Sequence, residues 1–410
     1  MQTFGSQVDM TSLLGMTVIG NGENGCIVGL DKAATRACDA VLRGVADARL
    51  IRETDEGLYR RLEEHGFFAE PKGPRRLAAA YLHVTQRCNL ECTGCYSRDA
   101  GRNTLPDPSL QQLEHAVRDL SEAGVSLLIV SGGEPFLRED LSGLIRYAKE
   151  GCGVEQVCVL TNGMLVEKAD LASLAPFVDH VAVSFDGCSD DGPAYVRGEQ
   201  RFGQLVSAVR ALQRVDVKVQ ILPTIHARNL GDIPRYAKLA QDMGVDLSFS
   251  LFSRSACNGD VTDLCFGEED MEPLAEAICA APHAAPRDAP LGAGLVARNS
   301  CGAGSSLVSV AADGSVFPCH MLHDERFLMG NVFRQPLSET LQGKVARLFA
   351  SLDARSYEGC SACNTRLFCG GGCRARAVAG GEGVCGRDTY CEMIRRVYDR
   401  RMKDIASRLN

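Results

Sequence analysis

Residues 88–97 read CNLECTGCYS, which places Cys88, Cys92 and Cys95 within eight positions and then supplies no fourth cysteine. A structural zinc ion takes four tetrahedral ligands, and a four-iron cube has four corners to fill. Three thiolates on one tight loop can hold three corners of such a cube and leave the last iron to a ligand from outside the chain. A closed zinc site would instead draw its fourth ligand from a distant part of the sequence. The C-x3-C-x2-C spacing therefore reads first as an iron–sulfur loop with an open corner.

The loop directly follows an apolar run, AAAYLHVT (78–85), and that run is the first of six. VSLLIVS (125–131), VEQVCVLT (154–161), HVAVSF (180–185), VKVQILPTI (217–225) and VDLSFSLF (245–252) repeat the pattern. Amphipathic stretches such as SLQQLEHAVRDLSEAG (109–124) and RFGQLVSAVRALQRV (201–215) separate them. Six strand–helix repeats predict an α/β fold with a parallel sheet and right-handed crossovers, open or curled into a barrel. Ligand chemistry in such sheets gathers at the C-terminal strand ends. The cysteine loop falls at such an end.

Composition narrows the class. The chain has 410 residues, 45% hydrophobic and 23% charged, enough for two or three globular domains. A net charge of −8 argues against gripping nucleic acid through a basic face. No apolar run reaches the ~18–20 residues of a membrane span, and MQTFGSQVDM lacks the basic and apolar regions of a secretory signal. A cytoplasmic protein is expected. Nineteen cysteines are the anomaly; in a reducing compartment, clustered thiols point to metal ligation rather than disulfides. Cys26, Cys38, Cys152, Cys158, Cys188, Cys257, Cys265 and Cys279 stand singly and read as small buried hydrophobes.

Three further stretches follow the cysteine loop in order: SGGEP (131–135), LTNG (160–163) and VSFDG (183–187). Together with CNLECTGCYS after a strand, they resemble the radical S-adenosylmethionine (radical SAM) superfamily over about residues 77–255. The resemblance implies a partial (β/α)6 barrel, with SAM's amino and carboxylate groups completing the open iron. One electron then splits the sulfonium and gives a 5′-deoxyadenosyl radical that takes hydrogen from an unreactive C–H bond. Cys88, Cys92 and Cys95 would hold that cluster, with Tyr96 near the adenine. Gly132, Gly133, Glu134 and Pro135 would approach SAM's methionyl amino group. Ser184 would contact its ribose or methionyl end, and Arg197, in YVRG, would pair with its carboxylate. Gly94 departs from the family, which usually has an aromatic there, and this shifts the adenine contact onto Tyr96.

The C-terminal cysteines form a second pattern: Cys301, then Gly314-x4-Cys319, then Cys360-x2-Cys363-x5-Cys369-x3-Cys373, and Cys391. With CNTRLFCGGGCRARA (363–377), this resembles the SPASM extension of radical SAM peptide modifiers, which carries two auxiliary [4Fe–4S] clusters. Cys360, Cys363, Cys369 and Cys391 would hold the outer one, and Cys301, Cys319 and Cys373 the inner one. Cys385 competes for the last outer position, but DTYC (388–391) matches the family ending better. CGAGSSLV (301–308) offers the inner set no fourth cysteine, so that cluster would have an open iron able to take a substrate thiolate. A zinc ribbon across Cys360–Cys373 is the rival reading. His320 and His323 read as ordinary polar loop residues rather than ligands.

Residues 1–72 form a separate module. MTVIGNGENGCIVGL (16–30) predicts a β-hairpin, DKAATRACDAVLRG (31–44) a helix begun by Asp31, and DEGLYRRLEEHGFF (55–68) another stopped by Gly66. The winged-helix-like pattern resembles the PqqD-type element that takes a leader peptide as an added strand. The expected domains are this module, a barrel at 77–270, an Ala/Pro-rich connector at 271–300 and a SPASM domain at 301–410. The expected protein is a radical SAM/SPASM maturase of a ribosomal peptide, forming a thioether or carbon–carbon crosslink. It would use SAM, three [4Fe–4S] clusters, a precursor peptide and an electron donor such as flavodoxin or ferredoxin, with no nucleic-acid or membrane partner. The alternatives are a sulfatase-maturase-type dehydrogenase, a tetrapyrrole-modifying relative, and, outside enzymes, a zinc-containing winged-helix regulator. No residue is singled out as the general base.

Overall fold

A computed structural model describes residues 2–70, 76–98, 101–190, 192–198, 201–254, 261–281, 285–286 and 294–409. Cys257 and most of the EPKGPRR linker lie outside them. The chain forms two compact units. The first comprises Met1–Pro74, Asp288–Cys301 and Leu352–Asn410, and the second Arg75–Arg287 and Gly302–Ser351. The segment read as one cysteine-rich domain, 301–410, thus contributes to both.

In the first unit β1 (Val8–Leu13), β2 (Met16–Asn21) and β3 (Ile27–Leu30) form an antiparallel sheet in that order. The predicted hairpin is β2–β3. Strand β1 escaped the sequence reading because VDMTSL interleaves polar residues that serve contacts within the unit. Asp9 pairs with Arg366 at 2.5 Å, and the Thr11 hydroxyl donates to the Asn364 carbonyl at 2.7 Å. Helix α1 (Lys32–Leu42) starts at Asp31, whose carboxylate accepts from the Ala33 and Ala34 amides. Helices α2 (Arg49–Thr54) and α3 (Glu56–Glu64) follow, and Ile19, Cys38, Ile51, Leu62 and Phe67 close a core among them.

The second unit carries the predicted repeats. Strands β4 (Ala79–His83), β5 (Leu127–Ser131), β6 (Gln156–Thr161), β7 (His180–Phe185), β8 (Val219–Ile225) and β9 (Asp246–Leu251) pair in parallel in chain order. Between them run α4 (Leu110–Glu122), α5 (Leu141–Arg146), α6 (Leu171–Leu174), α7 (Phe202–Gln213) and α8 (Ile233–Met243), with α9 (Met271–Ala280) after β9. A Ser109–Gln112 capping box starts α4, and Gly244, at φ +66°, ends α8. The sheet is longer than six strands. β10 (Ala285–Pro286) joins β9, while β11 (Leu307–Val310), β12 (Ser315–Phe317) and β13 (Gly330–Asn331) extend it beyond β4. β4 and β9 do not pair with each other, so the (β/α)6 arrangement is a partial barrel.

Side chains alternate across this sheet. Leu82, Val130, Val159, Val181, Val183 and Ile221 belong to one face and are fully buried. On the other face Tyr81, Ile129, Cys158, Ala182 and Leu222 make an apolar layer. Two residues further along, the same parity gives His83, Ser131, Leu160, Ser184 and Thr224. Apolar floor and polar rim follow from one register.

Helices α10 (Leu337–Thr340) and α11 (Lys344–Ala350) complete the second unit, and α12 (Arg366–Cys369), α13 (Arg374–Ala379) and α14 (Cys391–Leu409) the first. Of the solitary cysteines, Cys38 and Cys158 are buried, whereas Cys26, Cys152, Cys188, Cys265 and Cys279 are half-buried. Among the described residues no helix is long and apolar enough to cross a membrane.

Candidate iron–sulfur sites

Beyond β4 the chain turns into the cysteine loop, and the β5 end packs against its base. The Gly133 amide donates to the Thr85 carbonyl and the Glu134 amide to the Arg87 carbonyl, each at 2.8 Å. A β-carbon on Gly132 would fall 2.4 Å from the Thr85 oxygen, and one on Gly133 1.9 Å from the Arg87 oxygen. Gly132 also sits at φ +129°. Two glycines are therefore needed for backbone to meet backbone. Pro135 opens the short helical turn that follows.

Glu134 is fully buried and lies within electrostatic reach of Cys88 and Arg197. Its carboxylate accepts from the Thr161 hydroxyl (2.8 Å), the Asn162 amide (2.8 Å) and the Phe136 amide (3.1 Å). Burial pushes it up to about 7, against these hydrogen bonds and the Arg197 charge. Its side chain thus joins SGGEP to LTNG. Asn162 continues the link, donating to Asn89 at 2.8 Å and reaching the Cys88 sulfur at 3.9 Å.

Cys88, Cys92 and Cys95 are all half-buried, and Cys88 and Cys92 each lie within electrostatic reach of Cys95. Burial raises the Cys88 and Cys92 thiols, while the Arg102 charge pulls both down and Arg197 pulls Cys92 down. Arg197 is held from behind. The Asp186 carboxylate accepts from the Tyr195, Val196 and Arg197 amides at 3.3, 2.8 and 2.6 Å. The Val196 carbonyl accepts from Thr93, inside the cysteine loop, at 2.7 Å. Arg197 Nε and Nη1 are buried without a partner. A buried, unpaired guanidinium edge within reach of Cys92 is where an anionic ligand belongs.

The Tyr96 hydroxyl meets Ser131 Oγ at 3.0 Å, and its ring lies 5.0 Å from that of His320. Ser184 is half-buried at the β7 end. Gly94, at φ +73°, has the Phe252 ring 2.3 Å from where its β-carbon would lie. The space of the missing aromatic is thus filled from the end of β9. His320 and His323, expected as ordinary polar loop residues, lie in a loop with both rings packed. His320 stacks on Tyr81 at 4.0 Å, and His323 stacks on Phe317 at 4.5 Å and meets Ser309 Oγ at 2.8 Å. Burial lowers His323 to about 4.

The first unit holds the other cysteine group. Cys360, Cys363, Cys369 and Cys391 line one pocket together with Arg366 and Asp388. Cys360 and Cys369 are buried, and burial raises both thiols. Cys385 is exposed and does not line the pocket. Asp388 accepts from the Cys373 amide at 2.6 Å and pairs with Arg376 at 2.8 Å, both members buried. Among the described residues no three His, Cys, Asp or Glu side chains come close enough to share one metal ion. A mononuclear zinc site brings its sulfurs to ~3.8 Å of one another, from Zn–S bonds of ~2.3 Å, whereas a cube spreads them wider. Four thiols around one pocket are the donor set that an iron–sulfur cube takes. Cys301 and Cys373 belong to the first unit and Cys319 to the second.

The sequence matches the radical SAM superfamily over residues 82–240 and the SPASM iron–sulfur cluster-binding domain over 301–364. The chain carries a radical SAM domain and a SPASM domain. It is 28% identical to the AdoMet-dependent heme synthase of Methanosarcina barkeri, over 79% of this chain and 97% of that protein. It is 29% identical to the mycofactocin maturase MftC of Mycobacterium ulcerans, over 75% and 86%. The fold is similar to that of Streptococcus suis SuiB bound to the precursor peptide SuiA, with a TM-score of 0.62, 14% identity, and 95% and 100% coverage. Within this radical SAM fold, sequence reasoning missed Asp186, Phe252 and Arg102. The aspartate stood in the VSFDG motif already noted, and the Gly94 departure was the signal for Phe252.

Proposed function

We propose that this radical SAM/SPASM chain matures a ribosomally made precursor peptide. Cys88, Cys92 and Cys95 would hold a [4Fe–4S] cluster, and the Arg197 edge would take SAM's carboxylate. When bound, the reduced cluster and SAM supply one-electron chemistry able to break an unactivated C–H bond. The chain's own part is placement and exclusion. Asp186 aims Arg197, the paired glycines let SGGEP close on the loop, and the apolar layer under the rim keeps water from the reacting carbon. Tyr96, Phe252 and Ser184 offer contacts for the nucleoside. Cys360, Cys363, Cys369 and Cys391 would hold the outer auxiliary cluster, one of two in the SPASM region. A flavodoxin or ferredoxin would deliver electrons.

The observation that carries the radical SAM part is the buried, unpartnered Arg197 edge among the cysteine loop's own contacts. The peptide part rests on the N-terminal sheet. β3 pairs only with β2, so its outer edge has no strand partner among the described residues, whereas residues of β1 already contact Asn364 and Arg366. An extended leader can add there as a fourth strand, which raises the local concentration of its core peptide. The favoured product is a thioether, followed by a carbon–carbon crosslink. The test is anaerobic reconstitution with SAM, dithionite and cysteine-containing precursor peptides, read by mass spectrometry. Loss of two hydrogens supports crosslinking. The likeness to a heme synthase favours tetrapyrrole modification as the second reading. Deoxyadenosine release with an iron porphyrin but with no peptide decides for it.

A further inference from the structure

Arg102 lies on the turn that leads back from the cysteine loop. Its Nη2 donates to Ser97 Oγ at 2.8 Å and reaches the Cys95 sulfur at 3.6 Å. Ser97 Oγ passes the contact on to the Gly132 carbonyl at 3.0 Å. The next residue, Asn103, adopts φ +63°, a left-handed conformation that asparagine tolerates better than most residues. Its side-chain oxygen accepts from the Cys88 amide at 2.8 Å. Two consecutive residues thus grip the two ends of CNLECTGC, one at the first cysteine and one at the last.

The two grips differ in kind. Asn103 makes a neutral hydrogen bond to backbone and fixes where the loop begins. Arg102 brings a full positive charge to a thiol that is a candidate iron ligand, and that charge also acts on Cys88 and Cys92. Reducing a cluster adds one negative charge to it. A cationic donor on a ligating sulfur stabilises the reduced form more than the oxidised form, which moves the reduction potential upward. The hydroxyl of Ser97 and the Gly132 carbonyl keep the guanidinium in place.

We propose that Arg102 is a positioning residue that raises the reduction potential of the cluster on Cys88, Cys92 and Cys95 through its contact with the Cys95 sulfur. This rests on the reading that those three cysteines hold a [4Fe–4S] cluster. The test is a potentiometric titration of the reconstituted full chain, followed by electron paramagnetic resonance. The signal that changes when SAM is added identifies the cluster in question among the three. Arg102→Gln, which keeps a donor but removes the charge, is expected to shift that midpoint to more negative potential while leaving the iron content and the SAM response in place. Arg102→Lys, which restores the charge, is expected to return most of the shift.

An unchanged midpoint in R102Q with an intact cluster overturns the proposal, as does an equal shift in R102Q and R102K. If R102Q fails to retain iron, R102K decides: a near-native midpoint supports the charge, and loss of the cluster there too makes the role structural and overturns it. Absence of any SAM-responsive signal in the wild-type chain would instead sink the functional reading itself.

Discussion

The cysteine loop of 88–95 and the cysteine pocket of 360–391 use the same side chain for opposite ends. In the loop the three thiols are half-buried, cationic groups approach them, and polar atoms nearby stay unsatisfied: Arg197 Nε and Nη1, Arg102 Nε and His83 Nε2. Around the pocket four thiols line one cavity, both Asp388 oxygens meet Arg376, and the Arg374 and Arg387 charges act on Cys360. Unpaired buried polar groups cost about 1–3 kcal/mol each. The unpartnered Arg197 edge at the loop leaves room for a ligand still to come, whereas the Asp388 carboxylate beside the pocket is already satisfied by Arg376.

The largest effect expected from this contrast is compositional. Replacing Cys92 by Ala should abolish SAM cleavage and remove one cluster's iron and sulfide, while Cys369→Ala removes a cluster's iron but leaves SAM bound. Cys385→Ala should change neither, because that thiol is exposed and outside the pocket. Iron and sulfide analysis with deoxyadenosine assays checks all three. Equal losses in C385A and C369A would break the assignment of Cys391. Next comes the buried Arg376–Asp388 pair, whose side chains are each 2% exposed. Removing one partner strands a buried charge, so Asp388→Ala should cost about 3–5 kcal/mol in denaturant unfolding. The matching change at the barrel, Arg197→Gln, removes a charge that acts on the buried Glu134 and on Cys92. It should weaken SAM binding roughly 10–100-fold, the worth of a charge-assisted hydrogen bond of about 1.5–3 kcal/mol, as read by equilibrium dialysis. Unchanged SAM affinity in R197Q would remove the guanidinium from the site.

The same contrast explains what the sequence made legible. The six parallel strands could be read because their runs are apolar on both faces and regularly spaced, and all six stand where expected. Strand β1 could not, since Asp9 and Thr11 answer to residues more than 350 positions away. The extension of the sheet by β11, β12 and β13 is equally non-local. LVSV and SVF are too short to announce a partner, and only the register of Leu307 against Ala79 reveals it. At the site, motif order marked the right loops but not the direction of side chains. The motif marks Glu134, but the three donors that hold its carboxylate come from Phe136, Thr161 and Asn162 and are seen only in the structure. Phe252 ends a run quoted only as a strand and Arg102 lies outside every quoted stretch, and only packing assigns them to the loop.

The smallest predicted effect concerns the histidines of the barrel. His323 stacks beside His83 at 4.7 Å, with Ser309 on its Nε2 and Asp313 as the one acid acting on it. Burial lowers it to about 4, below the ordinary value near 6.5, and Asp313 only partly offsets this. Between those two values the unfolded chain holds more of this proton than the folded one, so stability rises with pH. The stabilising share of a neutral His323 is therefore complete above about pH 6.5 and drains away as pH falls toward 4. One proton bounds the slope at about 1.4 kcal/mol per pH unit. Buried His83, likewise lowered by desolvation and by its histidine neighbours, adds to the same trend. His323→Gln, which cannot charge, should flatten the fall of the unfolding midpoint between pH 6.5 and 4.5, with little change at pH 8. Asp388→Asn should leave that slope in place, because the fully buried Asp388 carboxyl is held below its usual range by Arg376 and the Cys373 and Tyr390 amides, which outweigh burial. A His323→Gln profile parallel to wild type would mean that the imidazole is solvated in solution, and the barrel rim would then resemble an ordinary polar surface.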